Sequence, residues 1–352
     1  MLVLSACTLD TSGVGDGDEG SSSAAEVSSG GSGPTTTTTS TSTPTSSPTT
    51  GTLDDSSGPT TAGPTTESSE TSASGDHGSE SDESTGDVEP EMFGEPVAVP
   101  NINSDGIDDD PTLTGDMLEI YFSSTRDGQP SEDIYRATRT RLDEDFTDVM
   151  RVGALSRDDS ADASPEISLD GLLIRFSGSW PGGSGGNDPM LAHRANRNAV
   201  WSMPLHIDEL STGADEASLV TTSNGLTGYF CRDFGGGPYW DLLRTVRDDD
   251  MGDWEMPMSV DELNGDGRDC APWVDADETE LWFTSVRAGG LGQEDIWRVA
   301  VDDGLFGEPE PVTELNGLGI DEDPWLSPDG NTVYFASDRA DGNFAIYMAT
   351  RD

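Results

Sequence analysis

Five carboxylates recur along the second part of the chain, one in each copy of a repeat. Each lies three residues before a position that is proline in four copies and Ser218 in the other; they are Asp108, Asp162, Asp215, Asp269 and Asp321. Five equivalent acids around an axis could hold a metal ring, since carboxylate oxygens bind hard cations. A residue present in every copy more often serves the fold, here by accepting backbone N–H bonds in a turn. The pattern therefore favours a structural role.

Two acidic turns, NSDGIDDD and NGDGRD, offer oxygen ligands at short spacing. Asp105 with Asp108, and Asp266 with Asp269, could bind calcium there. Neither turn follows the EF-hand pattern with its bidentate Glu. Solvated acidic loops are the alternative, so we expect no firm metal site and no other cofactor.

Five phenylalanines give the period of the repeat. They lie 52 to 54 residues apart, in runs such as YFSSTR and WFTSVR, and are Phe122, Phe176, Phe230, Phe283 and Phe335. Each copy opens with an aromatic residue (FGEP, WSMP), passes through a turn-rich segment and a short strand, and closes with a strand such as DIYRAT. Four short antiparallel strands per copy are typical of a β-propeller blade. The five units are approximately 93–145, 146–200, 201–253, 254–305 and 306–352.

We therefore predict an all-β propeller of five four-stranded antiparallel blades. Alternation at Leu118, Ile120 and Phe122 predicts that one face of each strand is buried. The last unit has no outer strand of its own, and residues 93–100 would supply it and close the ring, which removes an exposed sheet edge. Six blades would need a unit that the sequence does not contain.

The segment SPDGNTVYFASDRADGNFAIYMATR, residues 327–351, closely resembles the WD40-like propeller repeat of the C-terminal domain of TolB. Units one and four also fit this repeat, unit two fits less well, and unit three is the weakest. The resemblance covers about three quarters of the chain. It implies a propeller that acts as a binding platform, and it supplies no catalytic residues.

The N-terminal part differs in composition from the rest. Residues 1–7, MLVLSAC, resemble the end of a bacterial lipoprotein signal in which Cys7 is lipidated; only six residues precede this cysteine, so either the signal begins further upstream or the match is accidental. Residues 8–90 contain no aromatic residue and are rich in Ser, Thr, Gly and Pro, which predicts a disordered tether before a folded domain at 91–352. The resemblance implies a lipid-anchored protein of the bacterial cell envelope, facing the periplasm or the exterior.

The net charge is −52, and every basic residue apart from three histidines is arginine. Such an acidic surface repels phosphate backbones, which argues against nucleic acid and favours cations or basic protein patches as partners.

No run of 18 apolar residues exists, so the sequence predicts no spanning helix. We expect a monomer.

Loops between the Phe strand and the closing strand vary most between units, and they are our predicted binding face. Trp180, Tyr239 and Trp240 lie in these loops and could stack on a sugar or a peptide side chain, or could pack over the blade edge. The run HRANR offers His193, Arg194 and Arg197, the densest basic segment, for internal ion pairs or an acidic ligand.

Three function classes remain open: a non-catalytic, lipid-anchored module that binds a protein, peptide or envelope component; a glycoside hydrolase or carbohydrate-binding protein; and a calcium-stabilised structural module. A hydrolase would need inner-strand acids that do not recur between units, one of them against an apolar wall. Glu166 is the nearest candidate. Cys231 and Cys270 lie in adjacent blades and could pair in an oxidising compartment, or stay as buried thiols.

Overall fold

In a computed structural model of this chain, short strands form five antiparallel sheets around a central axis. The structure describes residues 92–351 except 129, 130, 236–238 and 251. The predicted signal with Cys7 and the predicted tether lie outside these residues. Within the described part, no helix is long and apolar enough to cross a membrane.

Each blade has an inner strand at the axis, a middle strand that carries the repeat Phe, a third strand and a short outer strand. Blade one contains β2 (Asp108–Leu113), β3 (Glu119–Ser124), β4 (Asp133–Thr138) and β5 (Thr147–Arg151). Blade two contains β6 (Asp162–Ile167), β7 (Leu173–Gly178), β8 (Asp188–His193) and β9 (Leu205–His206). Blade three contains β10 (Glu216–Thr221), β11 (Thr227–Asp233), β12 (Trp240–Val246) and β13 (Met258–Ser259).

Blade four contains β14 (Asp269–Val274), β15 (Glu280–Ser285), β16 (Asp295–Asp302), β17 (Leu305–Phe306) and β18 (Glu310–Pro311). Blade five contains β19 (Asp321–Leu326), β20 (Thr332–Ser337) and β21 (Ala345–Thr350), and its outer strand is β1 (Val97–Ala98). The outer strand of each blade thus belongs to the next sequence unit. This arrangement confirms the predicted five-bladed propeller.

The ring is closed by the first strand of the domain. In the register between β1 and β21, Val97 lies opposite Met348 and Ala98 opposite Tyr347. The flanking Phe93 and Val99 are buried, so the closing segment contributes core as well as hydrogen bonds. The predicted closure by residues 93–100 is confirmed.

The predicted burial of one face of the Phe strand is confirmed at Ile120 and Phe122, and the opposite face of the inner and middle strands is largely buried as well. All six residues of β3 are buried, including Ile120 and its neighbour Tyr121, which point to opposite sides of the sheet. The reason is that each blade is packed between two others, so no face of a middle strand meets solvent. The five repeat phenylalanines are at most 2% exposed.

An arginine joins the recurring acid to the repeat Phe. In blade five, Arg339 pairs with Asp321, donates to the Leu315 carbonyl and lies 5.0 Å from the centre of the Phe335 ring. The same contacts recur in blades one and four for the pairs Arg126 with Asp108 and Arg287 with Asp269. In these three blades the buried carboxylate therefore has a cationic partner that is itself fixed by packing.

A second arginine covers the aromatic residue that opens each unit. Guanidinium carbons lie 4.2 to 4.8 Å from the ring centres in four pairs: Arg139 with Phe146, Arg194 with Trp201, Arg247 with Trp254, and Arg351 with Phe93. In blade four, Val301 pairs instead with Phe306. The planar guanidinium suits this stacked position better than an ammonium would.

In blade three, the residues that occupy the repeat positions are shifted by one from those predicted by aligning the five units. In β10, Glu216 lies opposite Arg232, and the strand irregularity follows at Ser218. Leu219, rather than Ser218, therefore occupies the proline position, and Glu216 rather than Asp215 is the recurring acid. Arg232 Nε donates to Glu216 Oε1 at 2.7 Å. The alignment failed because no proline marks this position in unit three.

Cys231 and Cys270 form a disulfide bond between β11 of blade three and β14 of blade four. Both residues belong to one apolar cluster with Tyr229 and Phe283. The bond therefore crosses a blade interface that is already packed.

Removal of the closing strand should destabilise the ring. We expect a chain of residues 101–352 to melt at a lower temperature than residues 92–352 and to self-associate, because β21 is left with an unpaired edge and Phe93 is lost from the core. Differential scanning calorimetry and sedimentation velocity measure both effects. Equal melting temperatures and monomeric behaviour of the two chains would contradict this closure.

Candidate functional site

The five inner strands share a bulge at the axis. In each strand two residues oppose one residue of the middle strand, and the first of the two has a positive φ, between 49° and 57°. These residues are Asp110, Ser164, Ser218, Ala271 and Asp323. Residues other than glycine rarely adopt this conformation, and it costs about 1 to 3 kcal/mol each. Its recurrence shows that the fold itself imposes the strain, and bulges of this kind re-aim side chains.

These five residues line a funnel on the axis. It extends from the bulges past Glu166, Trp273 and Trp325 toward the turn face, which we define as the face that carries the inner-to-middle turns. The funnel offers about 30 Å³ to the centres of water-sized spheres. Since one water needs roughly 10 to 15 Å³ on this measure, the space suits an ion or a pair of waters and is too small for a sugar ring.

The opposite, loop-rich face carries the middle-to-third loops and the segments that enter the inner strands. At this end Trp240 and Arg268 line the axial space beside Asp110 and Asp323. Trp240 also packs against the apolar cluster between blades three and four. The loop-rich end of the axis is therefore occupied by protein side chains.

Acidic side chains converge at the seam between blades one and five. Oxygens of Asp109, Asp110 and Asp323 lie within 4.8 Å of one another. Arg268 Nη1 donates to Glu322 Oε2 at 2.6 Å beside them. The sequence interpretation missed these residues. Their one signal is that the runs DDDP and DEDP carry extra acids where the other blades have DASP, EASL and DCAP.

Burial changes the ionisation of this acid cluster. It raises the pKa of Asp109, Asp110 and Asp323, and the charge of Glu322 raises the pKa of Asp109 further. Burial, together with Asp110 and Glu322, raises the pKa of Glu132 to about 8. These shifts all favour the protonated forms of the carboxyl groups.

Glu166 stands in the funnel where the other inner strands have Thr112, Val220, Trp273 and Trp325. Thr112 Oγ1 donates to Glu166 Oε2 at 3.1 Å. Burial is the main cause that raises the pKa of Glu166 to about 7. At neutral pH this carboxyl can therefore hold or release a proton.

Arg175 breaks the repeat on the neighbouring strand, opposite Glu166. The other four blades have a buried aromatic residue at its position, namely Tyr121, Tyr229, Trp282 and Tyr334. Arg175 is 8% exposed and, within the described residues, has no hydrogen bond or ion pair. Burial is the main cause that lowers its pKa to about 10; Glu166 opposes this change, and Arg247 contributes to it.

Trp180 lies at the blade edge. Its Nε1 donates to Asp162 Oδ1 at 2.5 Å, and its ring contacts Phe176 edge to face at 6.0 Å. Trp180 thus takes the place that arginine has in the other blades. Tyr239 is 49% exposed on the loop-rich face, whereas Trp180 is packed against Phe176. Trp240 is half-buried at the axis.

The basic run joins blade two to blade one. Arg194 is buried and pairs with Glu119 at 2.9 Å, and Arg197 pairs with both Glu119 and Asp116. Hydrogen bonds from Arg197 hold the pKa of Asp116 well below its usual range. His193 is exposed, with Nδ1 3.2 Å from Ser202 Oγ. The two arginines therefore make the internal ion pairs that were one of the two expectations.

The acids of the two calcium candidates lie in different environments. Asp105 and Asp266 are exposed, whereas Asp108 and Asp269 are buried and paired with arginine. Asp215, which the sequence placed among the recurring acids, accepts a hydrogen bond from the Asn187 N–H at 2.7 Å. Neither predicted pair, Asp105 with Asp108 or Asp266 with Asp269, places two unpaired carboxylates side by side.

Exposed apolar side chains form an arc on the loop-rich face of blades three to five. This apolar arc consists of Phe234, Tyr239, Val286, Leu291 and Leu318, which are 42 to 81% exposed. They lie in the β11–β12 loop, the β15–β16 loop and the segment between β18 and β19. The sequence interpretation found Tyr239 alone, because the other four are ordinary apolar residues in loops.

A scan against protein-family models found no match, and a search of curated proteins found none. Solved structures with similar folds include TolB from Acinetobacter baumannii (18% identity, TM-score 0.46, 71% of this chain) and putative TolB from Agrobacterium tumefaciens (20%, 0.44, 71% of this chain and 79% of that one). This chain spans 56% of the A. baumannii protein.

A further similar structure is the catalytic domain of the Coprinopsis cinerea GH62 α-L-arabinofuranosidase, with 9% identity and a TM-score of 0.49 over 74% of this chain and 96% of that one. TolB proteins and glycoside hydrolases thus both appear among the structural neighbours. At these identities and TM-scores the likenesses carry no argument about activity.

Restoring the repeat at position 175 should stabilise the domain. We expect Arg175→Tyr to raise the free energy of unfolding by about 1 to 3 kcal/mol, because an aromatic residue replaces a buried guanidinium that lacks hydrogen bonds. Urea denaturation measures this change. The reverse substitution Tyr334→Arg is the matched control and should destabilise the domain; a loss of stability in Arg175→Tyr would instead reveal a contact that Arg175 makes.

Glu166 should make the domain less stable as the pH rises. Its pKa is higher in the folded than in the unfolded state, so the folded state binds more protons, and stability falls as the pH rises from about 4.5 through 7. Glu166→Gln should reduce this slope when unfolding is followed at pH 5, 6, 7 and 8 in chelator. If the free energy of unfolding changes with pH in the same way in the wild type and in Glu166→Gln, the pKa of Glu166 is not raised in the folded state.

Proposed function

We propose that this protein is a non-catalytic binding module that uses the apolar arc to hold a segment of a partner protein or peptide. The observation that supports the proposal most is the arc itself. Five large apolar side chains are exposed in three connections on one face of the ring, and exposed apolar surface gathered on one face usually marks an interaction site.

Charge defines the chemistry of the partner. The chain carries a net charge of −52, and Asp233, Asp241 and Asp266 flank the loops of the arc. A segment that combines Lys or Arg with aromatic or aliphatic side chains would match both features, since opposite charges steer the encounter while apolar contacts hold the complex. We infer that the partner is cationic and amphipathic.

We also propose an envelope location with attachment through lipid on Cys7. The support is the resemblance of MLVLSAC to a lipoprotein signal, followed by the Ser- and Thr-rich segment 8–90. A flexible tether of that length would give the propeller a root-mean-square reach of roughly 50 Å from the bilayer. The loop-rich face could then meet partners in the surrounding compartment.

A carbohydrate-active function is the second candidate, and the funnel favours it. Glu166, with a pKa of about 7, lies in one pocket with Trp273 and Trp325, which is the setting of a general acid beside a sugar-stacking wall. The volume of the funnel argues against it, because a pyranose or furanose ring needs more room. This candidate therefore requires the funnel to widen.

A displayed random-peptide library tests the leading proposal with the full chain. We expect enriched peptides to combine basic and apolar residues, and Phe234→Ser with Leu318→Ser to weaken their binding about tenfold or more, because a buried apolar anchor is lost. Surface plasmon resonance gives the affinities. The matched control is Met203→Ser with Met256→Ser, which changes apolar side chains that are at least as exposed, outside the arc.

Three results would count against the arc: acidic or purely polar peptides, unchanged binding by the Phe234 and Leu318 variant, or equal loss by the Met203 and Met256 variant. A glycan array and a panel of glycosidase substrates are run beside the peptide library. Glycan binding or hydrolysis that Glu166→Gln abolishes, in the absence of peptide binding, would establish the second candidate instead.

A further inference from the structure

We propose that Asp109, Asp110 and Asp323 bind a hard divalent cation at the axis of the ring. The site lies at the seam between blades one and five. It uses neither Asp105 nor Asp266 of the acidic turns, and it is independent of the apolar arc.

The spacing of the carboxylates suits such an ion. Their oxygens lie within 4.8 Å of one another. Ca²⁺ takes oxygen ligands at about 2.3 to 2.6 Å and Mg²⁺ at about 2.0 to 2.1 Å, so three oxygens within this bound of one another can bind the same ion of either kind. Ca²⁺ accepts irregular coordination by carboxylates, whereas Mg²⁺ demands a near-octahedral arrangement. Ca²⁺ is therefore the first ion to test, with Mg²⁺ and Mn²⁺ as comparisons.

Bare carboxylate oxygens give an independent reason for a ligand. Glu322 is fully buried, yet its Oε1 accepts no hydrogen bond from the described residues. Asp323 is half-buried as a residue, but its Oδ2 atom is buried and also has no hydrogen-bond partner in the described part of the chain. Glu322 directly precedes Asp323 in β19. A buried anionic oxygen without a partner is costly, and a bound cation or its water would supply the partner.

The charge balance points the same way. Six carboxyl groups interact around the axis: Asp109, Asp110, Glu132, Glu294, Glu322 and Asp323. The guanidinium of Arg268 is bound to two of them, Glu294 and Glu322. A divalent cation would add positive charge at a place where one guanidinium lies among six carboxyl groups.

The coordination set is preorganised and can be reached. Ser123 Oγ and the Ser164 N–H bind Asp110 Oδ2 at 2.6 and 2.9 Å, which fixes the side chain and leaves Oδ1 with one weaker contact, to Ser164 Oγ at 3.3 Å. The Asp110 N–H donates to Asp109 Oδ1 at 3.0 Å. Asp110 and Asp323 both line the funnel, so an ion can enter from the turn face.

Calorimetry of the full chain after dialysis against EDTA, and then into chelator-free buffer, tests the proposal. We expect isothermal titration with CaCl₂ to show one tight site per chain, with proton release that varies with the ionisation enthalpy of the buffer. At a Ca²⁺ concentration 100-fold above the dissociation constant, the melting temperature should rise by about 5 to 10 °C. The double variant Asp110→Asn with Asp323→Asn should lose the tight site and this rise.

The variants separate this site from general binding to an acidic surface. Asp145→Asn with Asp253→Asn removes the same charge from exposed positions and should keep the tight site. The double axial variant should melt, without metal, at or above the wild-type temperature, because like charges have been removed. Should it fail to fold, the wild-type titration still decides the matter.

Several outcomes would overturn the proposal. They are no saturable binding of Ca²⁺, Mg²⁺ or Mn²⁺ by the wild type, a tight site that survives in a folded axial variant, or loss of the site in Asp105→Asn with Asp266→Asn. The last result would assign the ion to the acidic turns.

Discussion

Each blade has two apolar faces, and only a neighbouring blade can cover each of them. Trp325 and Tyr334 of blade five lie in one cluster with Ile120 and Phe122 of blade one, so the last interface is packed like the others. The sheets must therefore form a ring, and the ring must close. The inner strands are brought together by this requirement, and the axial funnel follows from it.

Arginine side chains make most of the ion pairs and cation–π contacts inside this ring. In an acidic chain without lysine, most arginines lie over aromatic rings or beside buried carboxylates, and few are free for an external ligand. Pairing with Arg339 lets Asp321 be fully buried at a blade edge. Blade two shows that the position tolerates another donor, since the indole of Trp180 serves Asp162 there.

The fold could be predicted from the sequence because its determinants repeat. The phenylalanines, the opening aromatics and the Asp-Gly turns report the same strands five times, and the missing outer strand of the last unit predicts closure. Burial on both faces was not predicted, because alternation is a property of one strand and cannot report a second neighbouring sheet. The register of blade three was lost for a local reason, the absence of proline at Leu219.

The candidate site was less predictable because distant residues form it. Asp109 and Asp323 are far apart in sequence, and they meet through ring closure together with the bulges, neither of which has a clear local signal. The apolar arc was missed for a related reason: Val286 and Leu318 come to the same face only in the assembled ring. Glu166 was found because it breaks a repeat within one short run, and Arg175 breaks the same repeat on the adjacent strand.

Because the acid cluster lies at the seam between blades one and five, it can form only late in translation. Asn103 bonds to the backbone of Ile346, 243 residues later, so the chain must leave the ribosome at least as far as Ile346 before blade five can dock. A nascent or prematurely terminated chain holds Asp109 and Asp110 but not Asp323. Its first and last blades also present uncovered edges and faces, which are the features that proteases and chaperones recognise. Cation binding at the seam would therefore distinguish finished molecules from incomplete ones.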